Sequence, residues 1–257
     1  MRVRSLALTT ELALANTRGR VTDRGDYLVV ETPDDAGYYY GNLLVLPAPP
    51  QVGEVAYWTR RFHEHLPGLA HVTLWWDGVR GDTGAEAELI AAGFTIDRAL
   101  VMTAEAIAHA DAALPVRVLA EHEITDALAW TLSDRHDESY RQFLQRRAAW
   151  QRSLVARGLA KWVGAFDGAQ LVASLGLVEL GTIGRYQDVA TLPAYRGRGL
   201  ASALLHAAAK ATNVERVVVL AERPDLYERA GFRIVERTAS ACRYPPGVSG
   251  RSSRSRM

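Results

Sequence analysis

One stretch limits what this chain can fold into more than any other: Arg185-Tyr186-Gln187-Asp188-Val189-Ala190-Thr191, then Leu192-Pro193-Ala194-Tyr195-Arg196-Gly197-Arg198-Gly199, then Leu200-Ala201-Ser202-Ala203-Leu204-Leu205. Tyr186, Val189 and Thr191 are β-branched or aromatic and predict a strand, closed by Pro193, which has no N–H to continue a ladder. Leu200, Ala203, Leu204, Ala207, Ala208 and Ala211 recur at helical spacing among strong helix formers and predict one apolar helix face. A strand that runs straight into a helix N-terminus leaves backbone N–H groups without partners. Gly197 and Gly199 let a ligand approach that backbone, and the helix dipole adds partial positive charge there. Arg196 and Arg198 add permanent charge, so the turn predicts an anion site, and a pyrophosphate suits it better than a carboxylate.

With 257 residues, 48% of them hydrophobic, the chain can bury a large core as one big domain or two ordinary ones. A formal net charge of +1 argues against a general nucleic-acid binder. The single cysteine, Cys242, excludes an internal disulfide and a cysteine-rich zinc site, and no metal is expected. Arg2 and Arg4 precede a partly apolar run, but Thr9, Thr10 and Glu11 interrupt it, so an element of the folded domain is expected there. No stretch reaches the length of a membrane span, and a cytoplasmic location is expected.

Taken in order, strands are predicted over residues 26–32 and 38–47, and a helix from about Glu54 with Val55, Trp58, Phe62 and Leu66 on one face. A strand over 72–76, a helix over 84–92 and a strand over 96–102 follow. Beyond a linker at 110–115 come a strand over 116–119, a helix over 123–132, a break at 133–137 and a helix over 138–158. A hairpin is predicted across Asp167-Gly168. After the opening stretch come a strand over 216–221, a helix over 225–230 and a strand over 232–241, and the Arg/Ser-rich tail 246–257 is expected to be disordered.

The two halves share landmarks. Asn42–Gly53 lies on Asp188–Gly199 without gaps, with Leu46-Pro47-Ala48 on Leu192-Pro193-Ala194, and Ala92-Gly93-Phe94 matches Ala230-Gly231-Phe232. A duplicated α/β unit accounts for both. Where the second copy has Arg196, Gly197 and Arg198, the first has Pro50, Gln51 and Val52, which removes a donor and both charges, so phosphate binding is expected to be lost there.

Arg196-Gly197-Arg198-Gly199-Leu200-Ala201 resembles the Arg/Gln-x-x-Gly-x-Gly/Ala signature of the GNAT superfamily of acyl-CoA N-acyltransferases, and Leu226-Tyr227-Glu228-Arg229-Ala230-Gly231-Phe232 resembles its Leu-Tyr-x-x-x-Gly-Phe pattern. Residues 116–244 resemble one whole such domain and residues 26–103 an eroded second one, a tandem arrangement similar to that of mycothiol synthases. The asparagine that often precedes the last helix has no clear match in Ala221–Asp225. The resemblance implies an α/β fold of two GNAT-like units, each a mixed, mostly antiparallel sheet flanked by helices. It divides the chain into a degenerate domain, 1–112, and a catalytic domain, 113–245.

It implies further that Val189, Ala190, Thr191, Arg196, Gly197, Arg198, Gly199, Leu200, Ala201 and Ser202 hold acetyl-CoA as co-substrate, with amides near Val189 and Ala190 receiving the acyl oxyanion. Tyr227 is the implied acid for the departing thiolate, and its ordinary pKa near 10 keeps it protonated at neutral pH. Asp188 and Glu179 are candidate general bases, although water relays can replace a base. Asp134, His136, Asp137 and Glu138 are candidates for acceptor binding, and a solvated polar loop is the other reading of that stretch. The expected activity is N-acetyl transfer to a primary amine, small molecule or peptide, with no nucleic-acid or membrane partner and with a homodimer left open. A CoA-binding sensor or scaffold, and a transferase of longer acyl groups, are the alternatives.

Overall fold

The computed structural model describes residues 1–248; of the tail 246–257 for which disorder is expected, the part from residue 249 lies outside the described residues. Two compact units form among the described residues, one built from residues 1–101 and 236–248, the other from Met102 to Val235. The elements of the first half are α1 (Leu6–Ala15), β1 (Arg20–Asp23), β2 (Leu28–Glu31), β3 (Leu43–Leu46), α2 (Val55–His65), β4 (Val72–Trp76), α3 (Glu86–Ala91) and β5 (Thr95–Ala104). Those of the second are β6 (Val116–Val118), α4 (Ala127–Thr131), α5 (Glu138–Ala156), β7 (Ala160–Asp167), β8 (Gln170–Leu180), β9 (Ile183–Thr191), α6 (Leu200–Lys210), β10 (Arg216–Ala221), α7 (Asp225–Arg229) and β11 (Arg233–Arg243).

In the first unit the strands run β1-β2-β3-β4, then the later part of β11, then the earlier part of β5. β1-β2-β3 is antiparallel, β3-β4 parallel, and β11 returns antiparallel to β4, with Ser240 opposite Trp75 and Arg243 opposite Val72. Alternate residues of β3 and β4, Leu44, Leu46, Val72, Leu74 and Trp76, pack on Val55, Phe62 and Leu66 of the α2 face that the spacing predicts. Ala239 and Ala241 of β11 join this core, so residues 236–243 pack with the first unit although the sequence reading assigns them to the second domain. Alternation along a strand identifies its buried face but not the sheet that receives it. α1 occupies the stretch where a folded element was expected, capped by Ser5 and burying Ala7, Leu8 and Leu14.

The second unit has the order β10-β9-β8-β7-β6, antiparallel except for the parallel pair β9-β10. α6 buries Leu200, Ala203, Leu204, Leu205 and Ala208, a face shifted from the predicted one to include Leu205, whose carbonyl accepts from the Tyr186 hydroxyl at 2.6 Å.

Two predicted elements are shorter than expected. The strand expected from residue 38 begins at Leu43, because the Asn42 side chain donates to the Asp35 and Tyr38 carbonyls and folds Tyr39–Gly41 into a 3-10 turn. The helix expected over 123–132 is broken into a 3-10 turn, Glu121–Glu123, and the short α4. There the Glu123 carboxylate accepts from the Ala120 N–H and from Arg117, and Arg152 takes the Ile124 carbonyl that a continuous helix would use. β1 has no counterpart among the predicted elements; its polar sequence Arg-Val-Thr-Asp is that of an edge strand.

Candidate active site

The carboxyl ends of a parallel strand pair are where α/β sheets place ligands. In the second unit β9 and β10 are that pair. Their register runs from Ile183–Arg216 to Arg185–Val218, after which, among the described residues, no further pairs form, although β9 continues to Thr191 and β10 to Ala221. The strands therefore part toward their carboxyl ends. On its other edge β9 is bulged: Gln187 pairs with Gly176 and Ala190 with Ser174, so Asp188 and Val189 together face Leu175.

Beyond β9 comes the loop that carries Arg196–Gly199. Pro193–Tyr195 forms a 3-10 turn, and Gly197 and Gly199 both take φ of +75°, a left-handed conformation that suits glycine. Gly199 caps α6, and among the described residues the amides of Gly197 through Ser202 donate to no acceptor. The Arg198 guanidinium lies 5.1 Å from the Tyr195 ring centre, and the Tyr195 hydroxyl donates to Asp167 at 2.8 Å. Arg196 Nε donates to the Thr191 carbonyl at 3.2 Å. Leu200 is buried at the start of α6, and Ala201 and Ser202 are half-buried.

Tyr227 lies on α7, which follows the carboxyl end of β10 and so belongs to the same end of the sheet. Its ring meets Phe232 edge-on at 5.6 Å, and the Phe232 N–H donates to the Tyr227 carbonyl at 2.9 Å. Its hydroxyl makes no hydrogen bond to another described residue, and burial pushes its pKa up to about 12. The hydroxyl is thus a protonated donor with no acceptor of its own.

Not every candidate comes to this end. Glu179 pairs with Gly184 near the opposite end of β8, and Asp188 lies four residues further along β9, roughly 13 Å away at the usual strand rise. Glu179 is therefore remote from Tyr227 and the loop. Asp188 is at the right place, but Arg147 holds one oxygen and Gln151 Nε2 the other, the latter at 2.5 Å. Asp137 caps α5, accepting from the Tyr140 N–H at 3.0 Å and from Arg135, and its pKa is held low chiefly by the Ser139 hydroxyl. Glu138 accepts from Gln142, the His136 ring packs edge-on against Trp130 at 4.7 Å, and Asp134 is exposed. All four side chains therefore interact within the chain. Sequence reasoning missed Arg147 and Gln151, whose spacing of four on α5 is a signal visible only once their target is known.

The first unit repeats the frame with its loop amides engaged. β3 stays paired with β4 to its last residue, Leu46–Trp76, and the β2-β3 register has no shift. Gly53 has a positive φ, +90°, as Gly199 has at +75°, but its N–H donates to Glu88 Oε2 at 2.7 Å and the Gln51 N–H to Glu54 Oε2 at 2.9 Å. Carboxylates of the chain itself thus engage these two amides. At the offset of the Gly-Phe pairs, Leu89 stands where the second unit has Tyr227, and the Phe94 N–H bonds to the Leu89 carbonyl at 3.0 Å as Phe232 does to Tyr227. Among the described residues no helix is long and apolar enough to cross a membrane, and no group of three or more His, Cys, Asp or Glu could hold a metal ion.

Residues 158–234, which include the hairpin, β9, the loop, α6 and α7, match the family model for the acetyltransferase (GNAT) domain. Comparison with curated protein sequences gives no match. Among solved structures, a functionally unknown conserved protein from Staphylococcus epidermidis is similar with TM-score 0.68 and 12% identity, over 88% of this chain and 94% of that one. A GCN5-related N-acetyltransferase from Kribbella flavida gives TM-score 0.62 and 17% identity, over 95% of this chain and 98% of that one. A second such protein, from Sphaerobacter thermophilus, gives 0.57 and 18%, over 89% and 84%. These likenesses establish a shared fold.

Proposed function

We propose, from the premise that residues 158–234 are a GNAT acetyltransferase domain, that this chain transfers the acetyl group of acetyl-CoA to a primary amine in the second unit. The observation that carries the reading is the meeting, at one end of one sheet, of parted parallel strands, a row of unengaged loop amides and a protonated tyrosine without a partner. The Gly197–Ser202 amides, with Arg196 and Arg198, bind the pyrophosphate. Amides of the bulged stretch Asp188–Ala190 donate to the acyl oxygen as the amine attacks and the oxygen gains charge. Tyr227 gives its proton to the sulfur as the carbon–sulfur bond breaks, and the proton of the attacking nitrogen leaves through water, since Glu179 is remote and both Asp188 oxygens are engaged. The first unit is the non-binding partner, its equivalent loop filled by Glu54 and Glu88.

Calorimetric titration with acetyl-CoA tests this. Micromolar binding is expected for the native chain, weakened by at least about 30-fold in an Arg196→Glu, Gly199→Val double variant, which reverses one charge and puts a β-branched residue at positive φ. Absence of binding by the native chain would remove the transferase reading.

A further inference from the structure

We propose that Arg147 and Gln151 of α5 are positioning residues of the transfer reaction, a role that rests on the acyl-CoA reading of the site: by gripping both oxygens of Asp188 they hold β9 in the bulged form that aims an amide at the acyl oxygen. Among the described residues Asp188 is the one non-glycine residue with positive φ, +55°. L-residues rarely adopt that conformation, and aspartate tolerates it better than a bulky or β-branched residue does. The bulge sets Asp188 and Val189 against Leu175 alone. Such a bulge leaves one residue outside the ladder and redirects the backbone that follows.

Nothing in the local sequence demands it. Between Arg185 and Leu192 there is neither glycine nor proline, and Tyr186, Val189 and Thr191 all favour a regular strand. The restraint comes from α5. Arg147 Nη2 donates to Asp188 Oδ1, and Gln151 Nε2 donates to Oδ2 at 2.5 Å. The two donors are four residues apart and so reach out from one face of the helix. Arg147 is 9% and Gln151 7% exposed, which fixes both side chains by packing, and the guanidinium keeps its charge at every working pH. A carboxylate held at both oxygens anchors the backbone it belongs to; its lone pairs are turned to α5 and away from an incoming amine.

The test reads the acyl oxygen directly. Infrared spectra of bound acetyl-CoA, labelled with carbon-13 at the thioester carbonyl, are compared for the native chain, Arg147→Met, Asp188→Gly and Arg147→Met with Asp188→Gly; calorimetry gives the affinity of each. In the native complex the carbonyl stretch falls below that of free acetyl-CoA, because a hydrogen bond lengthens the C=O bond. Arg147→Met loses most of that shift while keeping its affinity, and the double variant recovers it, because glycine takes positive φ without a grip. Asp188→Gly alone keeps the shift. An unchanged shift in Arg147→Met, no recovery in the double variant, or loss in Asp188→Gly alone would each overturn the proposal. Should Arg147→Met not fold, Gln151→Leu with and without Asp188→Gly makes the same comparison. A native chain that binds acetyl-CoA without any shift defeats this proposal alone, whereas one that does not bind defeats the acyl-CoA reading beneath it.

Discussion

Replacing Tyr227 with phenylalanine is expected to lower turnover about 100- to 1,000-fold, the usual contribution of a positioned acid, while leaving acetyl-CoA affinity as it was. The substitution removes one oxygen and keeps the edge-on packing against Phe232 at 5.6 Å, so loop, strands and helix keep their places. The measurement is CoA thiol release with an amine that supports turnover, beside calorimetry on both proteins. Equal rates would take Tyr227 out of the mechanism, and equal loss of rate and affinity would make it a packing residue. The pH profile gives a second check. Burial raises the Tyr227 pKa to about 12, so its proton is retained through neutral and mildly alkaline solution and is lost only as pH rises through that value. The acid therefore imposes no fall in rate up to about pH 10, where an unperturbed tyrosine would already be half ionised.

The first unit should weaken in acid through His71. This imidazole is 1% exposed, lies 4.8 Å from the Tyr39 ring and 5.5 Å from Phe62, and its Nε2 meets the Asn42 carbonyl at 3.0 Å. Desolvation dominates over two backbone hydrogen bonds and lowers its pKa from 6.5 to about 4. The unfolded chain thus binds a proton that the folded one refuses between those values. The stabilisation is complete above pH 6.5 and is lost as pH falls through 4, in total about 3 kcal/mol at 1.36 kcal/mol per pKa unit. Denaturant midpoints between pH 7 and 4 should fall in the native chain and fall less in His71→Gln. Parallel slopes in the two proteins would show that His71 is not the group responsible.

What could be read from the residues was what depends on near neighbours. The α2 face at Val55, Trp58, Phe62 and Leu66 is packed as spaced, because a helix of period 3.6 has one way to hide four apolar side chains. The loop at Arg196–Gly199 carries its own conformational requirement in its glycines, and so does Gly53 in the repeat. The repeat itself shows in the Gly-Phe pairs, where Phe94 and Phe232 bond back to Leu89 and Tyr227 in the same way. Asp137 was legible as a residue beside a helix start, and the sequence reading left it between acceptor binding and a solvated loop; its capping and its pairing with Arg135 give its carboxylate a local structural task. Glu179 looked eligible because it closes a strand next to β9, yet antiparallel pairing with Gly184 puts it near the opposite end of β8.

The sequence by itself determined most of the helices, the glycine turn at Arg196–Gly199, the landmarks shared by the two halves and the loss of charge in the first copy, since each is written in residues within a few turns of one another. Tertiary structure alone decided that residues 236–243 complete the first unit, because strand alternation does not name a partner sheet. It alone decided that β9 parts from β10 while β3 and β4 stay paired to the end. It alone decided the left-handed Asp188, whose conformation is disfavoured by its own neighbours in sequence and held by two side chains that lie 41 and 37 residues earlier, on a helix the strand meets only in the fold. Long-range contacts of this kind select one local minimum against the local preference, which is why no reading of residues 185–192 on their own could find it.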